Sequence, residues 1–199
     1  MRLYDISQEL LTCSVYPSDP TPRLNKITSM DDGDLYNLST LFACVHNGTH
    51  VDAPSHFIKG GKTVSELDLG KMIGKAYVAE AVGILREKEA ESIILKANTA
   101  DKDCAKKILI KGDATVTEEC AKAFLAAGVH LIGTETQSVG PIDAPMEVHK
   151  ILLTEEVVLL EGIRLGAVCE GVYFLFAAPI NIGCAEGAPC RAVLAELEK

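Results

Sequence analysis

Short apolar runs alternate with charged or Gly/Pro-rich breaks along the chain, and each run can be assigned a period. Residues 35–45, LYNLSTLFACV, read as an extended segment that runs straight into a histidine-rich stretch. Ala76 to Val82 and Ile93 to Leu95 read as strands, with the charged REKEAES between them as a turn or short helix. From Ile108 the pattern becomes strand (ILIK), helix beginning at Thr117, and strand again (VHLIG, from Val129). That helix carries its own end signals. Thr117 is a suitable N-cap, Glu118 and Glu119 complement the positive end of the helix dipole, and Gly128 stands where a C′ residue is wanted. A second short helix is expected from Pro145 through Leu153, followed by the apolar strand VVLLE at 157–161. The chain closes with the strand VYFLFAAPI, a Gly-rich loop and a helix from about Pro189 through Leu197. Strands outnumber helices, so the pattern predicts a mixed α/β fold on a strongly curved sheet or partial barrel with helices outside it.

Length and composition narrow the function. A chain of 199 residues with 48% hydrophobic content can bury one substantial core, so one domain over 1–199 is expected. The formal charge of -9 repels phosphate backbones and anionic lipid, which argues against nucleic acid or a membrane surface as a partner and for a small-molecule substrate. The richest apolar stretch, Gly171 to Ile182, is too short for a membrane helix and is interrupted by Pro179. Asp5 and Glu9 interrupt the start of the chain where an export signal needs an apolar run, so a cytoplasmic location is expected. The seven cysteines are irregularly spaced without a CxxC pair, which suits reduced thiols.

The candidate chemistry lies in His46 to His56, HNGTHVDAPSH. In an extended chain His46, Gly48, His50, Asp52, Pro54 and His56 share one face, with Asn47, Thr49, Val51 and Ala53 on the other. A flat strand would hold the backbones of His46 and His50 about 13 Å apart at roughly 3.3 Å per residue, too far for easy ligation of one ion. The strand must bend, and Gly48 permits it, because glycine reaches φ values that a β-carbon forbids. His46, His50 and Asp52 are therefore expected to converge on a metal from a kinked strand, and the second carboxylate oxygen of Asp52 is free to bridge to another ion. Zinc or manganese suits these donors. Elsewhere the prolines of Tyr16-Pro17-Ser18-Asp19-Pro20 dictate an ordered loop whose aromatic tip can face a pocket. Asp19 and Ser138 are pocket candidates or ordinary turn and loop residues, Cys44 shares the parity of His46 but reads first as a buried thiol, Glu135 is a candidate by its place after a strand, and His130 receives no function.

The string HNGTHVDAPSHF resembles the HxGTHxDxPxHF signature of the cyclase-like metal hydrolases, which include bacterial kynurenine formamidase and isatin hydrolase. The similarity extends to DIS at 5–7, YPSDP at 16–20, LIGTETQS at 131–138, the pair His149 and Glu161, and GAPCRAVL at 187–194. The resemblance implies a swivelling β/β/α fold, dimeric or larger. It implies a first metal held by His46, His50 and Asp52, and a second held by Asp52, His149 and Glu161. His56 matches the catalytic acid/base, and Tyr16 matches a substrate-contacting aromatic position. Kynurenine formamidases typically place Trp there, and this chain has no Trp. The reaction implied is arylformamidase-like cleavage of an amide by metal-activated water, with two zinc ions, or manganese, as cofactor. Competing readings are a cyclic amide hydrolase of the isatin type, a non-haem iron dioxygenase using His50, Asp52 and His149 as a facial triad, and a non-catalytic metal-binding module.

Overall fold

A computed structural model describes residues 1–196. Its strands are β1 (Leu3–Asp5), β2 (Arg23–Thr28), β3 (Leu38–Phe42), β4 (His50–Asp52), β5 (Ile73–Glu80), β6 (Gly83–Leu85), β7 (Lys107–Lys111), β8 (Ala114–Val116), β9 (Leu131–Thr134), β10 (Val158–Glu161), β11 (Gly171–Phe176), β12 (Gly187–Pro189) and β13 (Val193–Glu196). Three α-helices join them: α1 (Glu87–Ala100), α2 (Glu118–Ala126) and α3 (Met146–Thr154). Nine strands form one curled sheet in the order β1-β13-β11-β5-β7-β9-β10-β4-β12. Its centre, β5 to β10, is parallel, and both flanks are antiparallel.

Parallel strands covered on both faces should read as unbroken apolar runs, and ILIK and VVLL do. Ile108 and Ile110 of β7 and Leu159 of β10 pack with Phe124 of α2 and Leu152 of α3 on the helical side. The alternate residues Leu109, Val158 and Leu160 pack with Val51 of β4 and Leu194 of β13 on the other. The mixed α/β architecture, with a curled sheet and outer helices, is the one the hydrophobic pattern predicts. The expected helix at Thr117 is present as α2, with the Thr117 hydroxyl accepting from Cys120 N and Gly128 at φ +76°. The helix expected from Pro145 is α3.

Two expectations fail. Ile93 to Leu95 is not a strand but the middle of α1, and the charged segment before it is the first half of that helix. Ala90, Ile93 and Ala97 are its buried stripe, a helical period that a three-residue apolar window conceals. The closing helix from Pro189 is also absent. Gly187–Pro189 and Val193–Glu196 are strands, and residue 197 lies outside the described residues. Helix propensity in AVLAELE yields to the sheet, because β13 pairs with β1 on one side and β11 on the other. The 35–45 segment is extended only over Leu38–Phe42, where it forms a hairpin with β2 apart from the main sheet. Among the described residues no helix is long and apolar enough to cross a membrane.

Candidate metal centre and substrate cavity

The bend expected before His50 falls at Gly48, whose φ is +67°, in the left-handed region that favours glycine. A turn precedes it, with Asn47 N donating to Cys44 O at 3.0 Å and Cys44 N to the Asn47 side chain at 2.7 Å. Regular pairing begins only at His50, so His46 reaches the centre from the turn and not from a continuous strand. β4 is then locked between β10, where His50 faces Glu161, and β12, where Asp52 faces Gly187. Gly187 has to be glycine, because a β-carbon there would lie 2.8 Å from His46 Cε1. Thr49, on the opposite parity, turns away and donates to Gly162 O at 2.7 Å.

Two groups of three potential ligands result: His46, His50 and Asp52, and Asp52, His149 and Glu161. Within each group the ligand atoms lie within 4.8 Å of one another, and Asp52 is common to both. His50 Nε2 lies 3.3 Å from Asp52 Oδ1 and 3.6 Å from Glu161 Oε2. His149 Nε2 lies 3.3 Å from Glu161 Oε1 and 3.7 Å from Asp52 Oδ2.

The hydrogen bonds leave one nitrogen of each imidazole open. His50 Nδ1 bonds the Gly48 carbonyl at 3.1 Å and His149 Nδ1 the Pro145 carbonyl at 2.8 Å. A carbonyl only accepts, so in both residues Nδ1 carries a proton, and Nε2 is the nitrogen turned towards the carboxylates. His46 Nδ1 donates to Asp52 Oδ1 at 2.8 Å. Its Nε2 and Asp52 Oδ2 are buried without hydrogen-bond partners. Outer hydrogen bonds that fix the imidazole tautomer are the usual companions of metal-ligating histidines.

The electrostatics of the cluster favour positive charge beside the two carboxylates. Burial would raise the pKa of Asp52, but hydrogen bonds from His46 and His50 hold the carboxyl well below its ordinary range. Burial would likewise lower His50, yet Asp52 and Glu161 push it up to about 9, and His149 is raised against its burial chiefly by Glu161. Two carboxylates closed off from water draw positive charge, which the neighbouring imidazoles supply by protonation or a divalent ion supplies directly.

His56 sits apart from both groups. It ends a single 3-10 turn, Pro54–His56, and its ring lies 4.1 Å from that of His46 and 6.1 Å from that of His149, centre to centre. Burial, with His46 and His149 adding to it against the opposing pull of Asp52, lowers its pKa to about 4. It stands beside the candidate ligands as an unprotonated imidazole. A cavity of about 380 Å³ opens in front of them, and Tyr16 forms part of its wall, with its hydroxyl donating to Ile142 O at 2.6 Å. Asp19, Cys44 and Ser138 also line it. Glu135 does not. Its carboxylate accepts from Gly112 N and Leu165 N, both at 2.7 Å, and so clamps two loops. Phe57, Gln137 and Glu186 line the cavity without having been singled out. Phe57 lies inside the histidine motif and was open to notice, whereas Glu186 follows a Gly-rich loop that offers no periodicity.

Residues 4–108 match the model of a family described as "Putative cyclase". The kynurenine formamidase of Erythrobacter litoralis (strain HTCC2594) is 30% identical to the chain, over 98% of the chain and 94% of its own length. A solved structure described as a potential metal-dependent hydrolase with cyclase activity has a TM-score of 0.82 at 24% identity, covering 100% of this chain and 99% of that one. An isatin hydrolase bound to the product analogue thioisatinate also has a TM-score of 0.82, at 17% identity, covering 98% and 92%. The fold is common to the two solved structures, and the donors assembled here support a divalent metal centre.

Proposed function

Because the chain belongs to the cyclase family, we propose that it is a metal-dependent amidohydrolase that cleaves an arylformamide of the N-formylkynurenine type. The observation that carries this reading is Asp52, placed between two three-residue ligand groups with a buried, unpartnered carboxylate oxygen. His46, His50 and Asp52 would hold one ion, and Asp52, His149 and Glu161 a second. Two zinc ions are the occupants proposed, with manganese acceptable to the same nitrogen and oxygen donors.

When bound, the ions would lower the pKa of water to about 7 and polarise the amide carbonyl. His56 handles the proton. Unprotonated above about pH 4, it is ready to take a proton as water adds to the carbonyl carbon. The resulting imidazolium is a strong acid for the same reason, and it delivers that proton to the nitrogen as the C–N bond breaks. The products are a carboxylic acid, which releases its proton to solvent, and a free amine. Tyr16 and Phe57 are aromatic side chains that line the cavity and could pack against the aryl group.

A cyclic amide of the isatin type is the second substrate proposed, and the same steps would open its ring. The deciding experiment loads the purified chain with zinc or manganese, measures metal per chain, and compares turnover of N-formylkynurenine, formanilide and isatin. Two ions per chain with oxygen-independent hydrolysis supports the reading. One iron with an oxygen requirement overturns it in favour of a dioxygenase, and metal binding without turnover of any amide leaves a binding module. The reading includes assembly as a homodimer or larger homo-oligomer, supported by the apolar side chains exposed on the β2–β3 hairpin, among them Leu24, Ile27, Leu41 and Phe42.

A further inference from the structure

The cavity contains polar groups that neither ligand set uses. Ser138 is 3% exposed, and its Oγ is buried without a hydrogen-bond partner. Both polar atoms of the neighbouring Gln137 carboxamide are in the same condition. The loop that carries them is held on every side. Gly162 N donates to Thr136 O at 2.9 Å, the Thr136 hydroxyl to Ser138 O at 2.7 Å, and Val139 N to Glu161 Oε1 at 2.7 Å. Buried hydroxyl and carboxamide groups normally find partners, so a rigid wall that leaves them unpaired is complementary to a ligand with its own donor and acceptor. A secondary amide has both.

Charge adds a second, independent constraint. Asp19 and Glu186 line the same cavity and belong to neither ligand group. Asp19 Oδ2 accepts only a long contact from the Cys44 thiol, at 3.9 Å, and Glu186 Oε1 lies 3.7 Å from His46 Nε2. Among the described residues that line the cavity there is no Lys or Arg. A substrate carboxylate therefore meets two carboxylates and no side-chain cation outside the metal centre. An ammonium group on the same ring position meets an attractive field.

We propose that this cavity selects an aryl amide that is neutral or positively charged over its anionic counterpart, with Gln137 and Ser138 bonding the amide and Asp19 and Glu186 drawing a cationic substituent. The proposal rests on the amidohydrolase reading for the identity of the scissile bond, and on the cavity wall alone for charge selection.

The test is a series of three formanilides, bearing at the para position an aminomethyl group, hydrogen or a carboxylate, hydrolysed by the metal-loaded protein. The expected kcat/KM order is cation, neutral, anion, with about tenfold or more, equivalent to about 1.4 kcal/mol, between the extremes. The double variant Asp19→Asn/Glu186→Gln should bring that ratio within about threefold. Ser138→Ala should lower kcat/KM for all three while leaving the ratio in place. Equal rates across the series, or a preference for the carboxylate, overturns charge selection, and unchanged kinetics in Ser138→Ala overturns the bonding role of the wall. Calorimetric binding of benzylamine against benzyl alcohol, neither of which is hydrolysed, reads the same preference without turnover. Tighter binding of the amine, lost in the double variant, with no formanilide cleaved would sustain charge selection and sink the amidohydrolase reading instead.

Discussion

β4 and the β2–β3 hairpin are both extended and both rich in alternating side chains, yet all three residues of β4 are buried while nearly every residue of β2 and β3 is exposed. The difference is one of neighbours. β4 is bonded on one edge to β10 and on the other to β12, so its register is set from both sides. The hairpin strands bond only each other, and even that ladder shifts register between Lys26 and Thr28. An isolated two-stranded ribbon has little stability of its own, whereas a strand inside a sheet positions its side chains closely enough for ligation. Three well-paired residues are thus worth more to the chemistry than a longer ribbon.

That contrast can be broken most severely at Asp52. Asp52→Ala should remove a ligand from both groups, reducing bound metal and bringing hydrolysis to background, as read by metal analysis and single-turnover kinetics; full occupancy with activity retained would show that β4 is only scaffold. His56→Ala should keep the metal and lower kcat by about 10²- to 10⁴-fold. Loss of metal in that variant would move His56 from proton transfer to ligation. Gly48→Ala forces a β-carbon into left-handed backbone at a cost of about 1–2 kcal/mol, and that β-carbon would lie 3.3 Å from Cys13 Cβ, so denaturant titration should show a fall of at least that size.

A weaker, pH-dependent effect is expected at His130, where burial, reinforced by Lys107, Lys71 and Lys106, lowers the pKa to about 4. The folded chain then resists protonation more than the unfolded chain, whose His titrates near 6.5. The stability His130 contributes is complete above that pH and is lost as the pH falls towards 4. Wild type minus His130→Gln stability should therefore decline on acidification over that window, and a flat difference would refute the assignment. Smallest of all, Leu24→Ser and Leu41→Ser should change the unfolding free energy of the monomer by no more than about 0.5 kcal/mol while weakening self-association in sedimentation experiments.

Much of this centre was legible before any coordinates. The even spacing of His46, His50 and Asp52 gave the shared face, and the need to shorten an extended span gave the bend at Gly48. Less visible was the failure of the bent segment to remain a strand through His46, because local turn bonding by Asn47 competes with pairing and leaves no periodic trace. His149 and Glu161 are 99 and 111 residues downstream of His50 by the numbering, and only similarity, not spacing, singled them out. The strand and helix misreadings at 93–95 and after Pro189 have a common cause. A window of a few apolar residues fits both periods, and the choice is made by partners distant in sequence: α2 against α1 in one case, β1 and β11 beside β13 in the other.

The bond from Val139 N to Glu161 Oε1 has a consequence of its own. One oxygen of a candidate ligand anchors the segment bearing Gln137 and Ser138, so ion capture and the shape offered to an incoming molecule are mechanically joined. Stripping the ion should therefore blunt recognition as well as chemistry, and an inhibitor that never touches the ion should still report whether it is there.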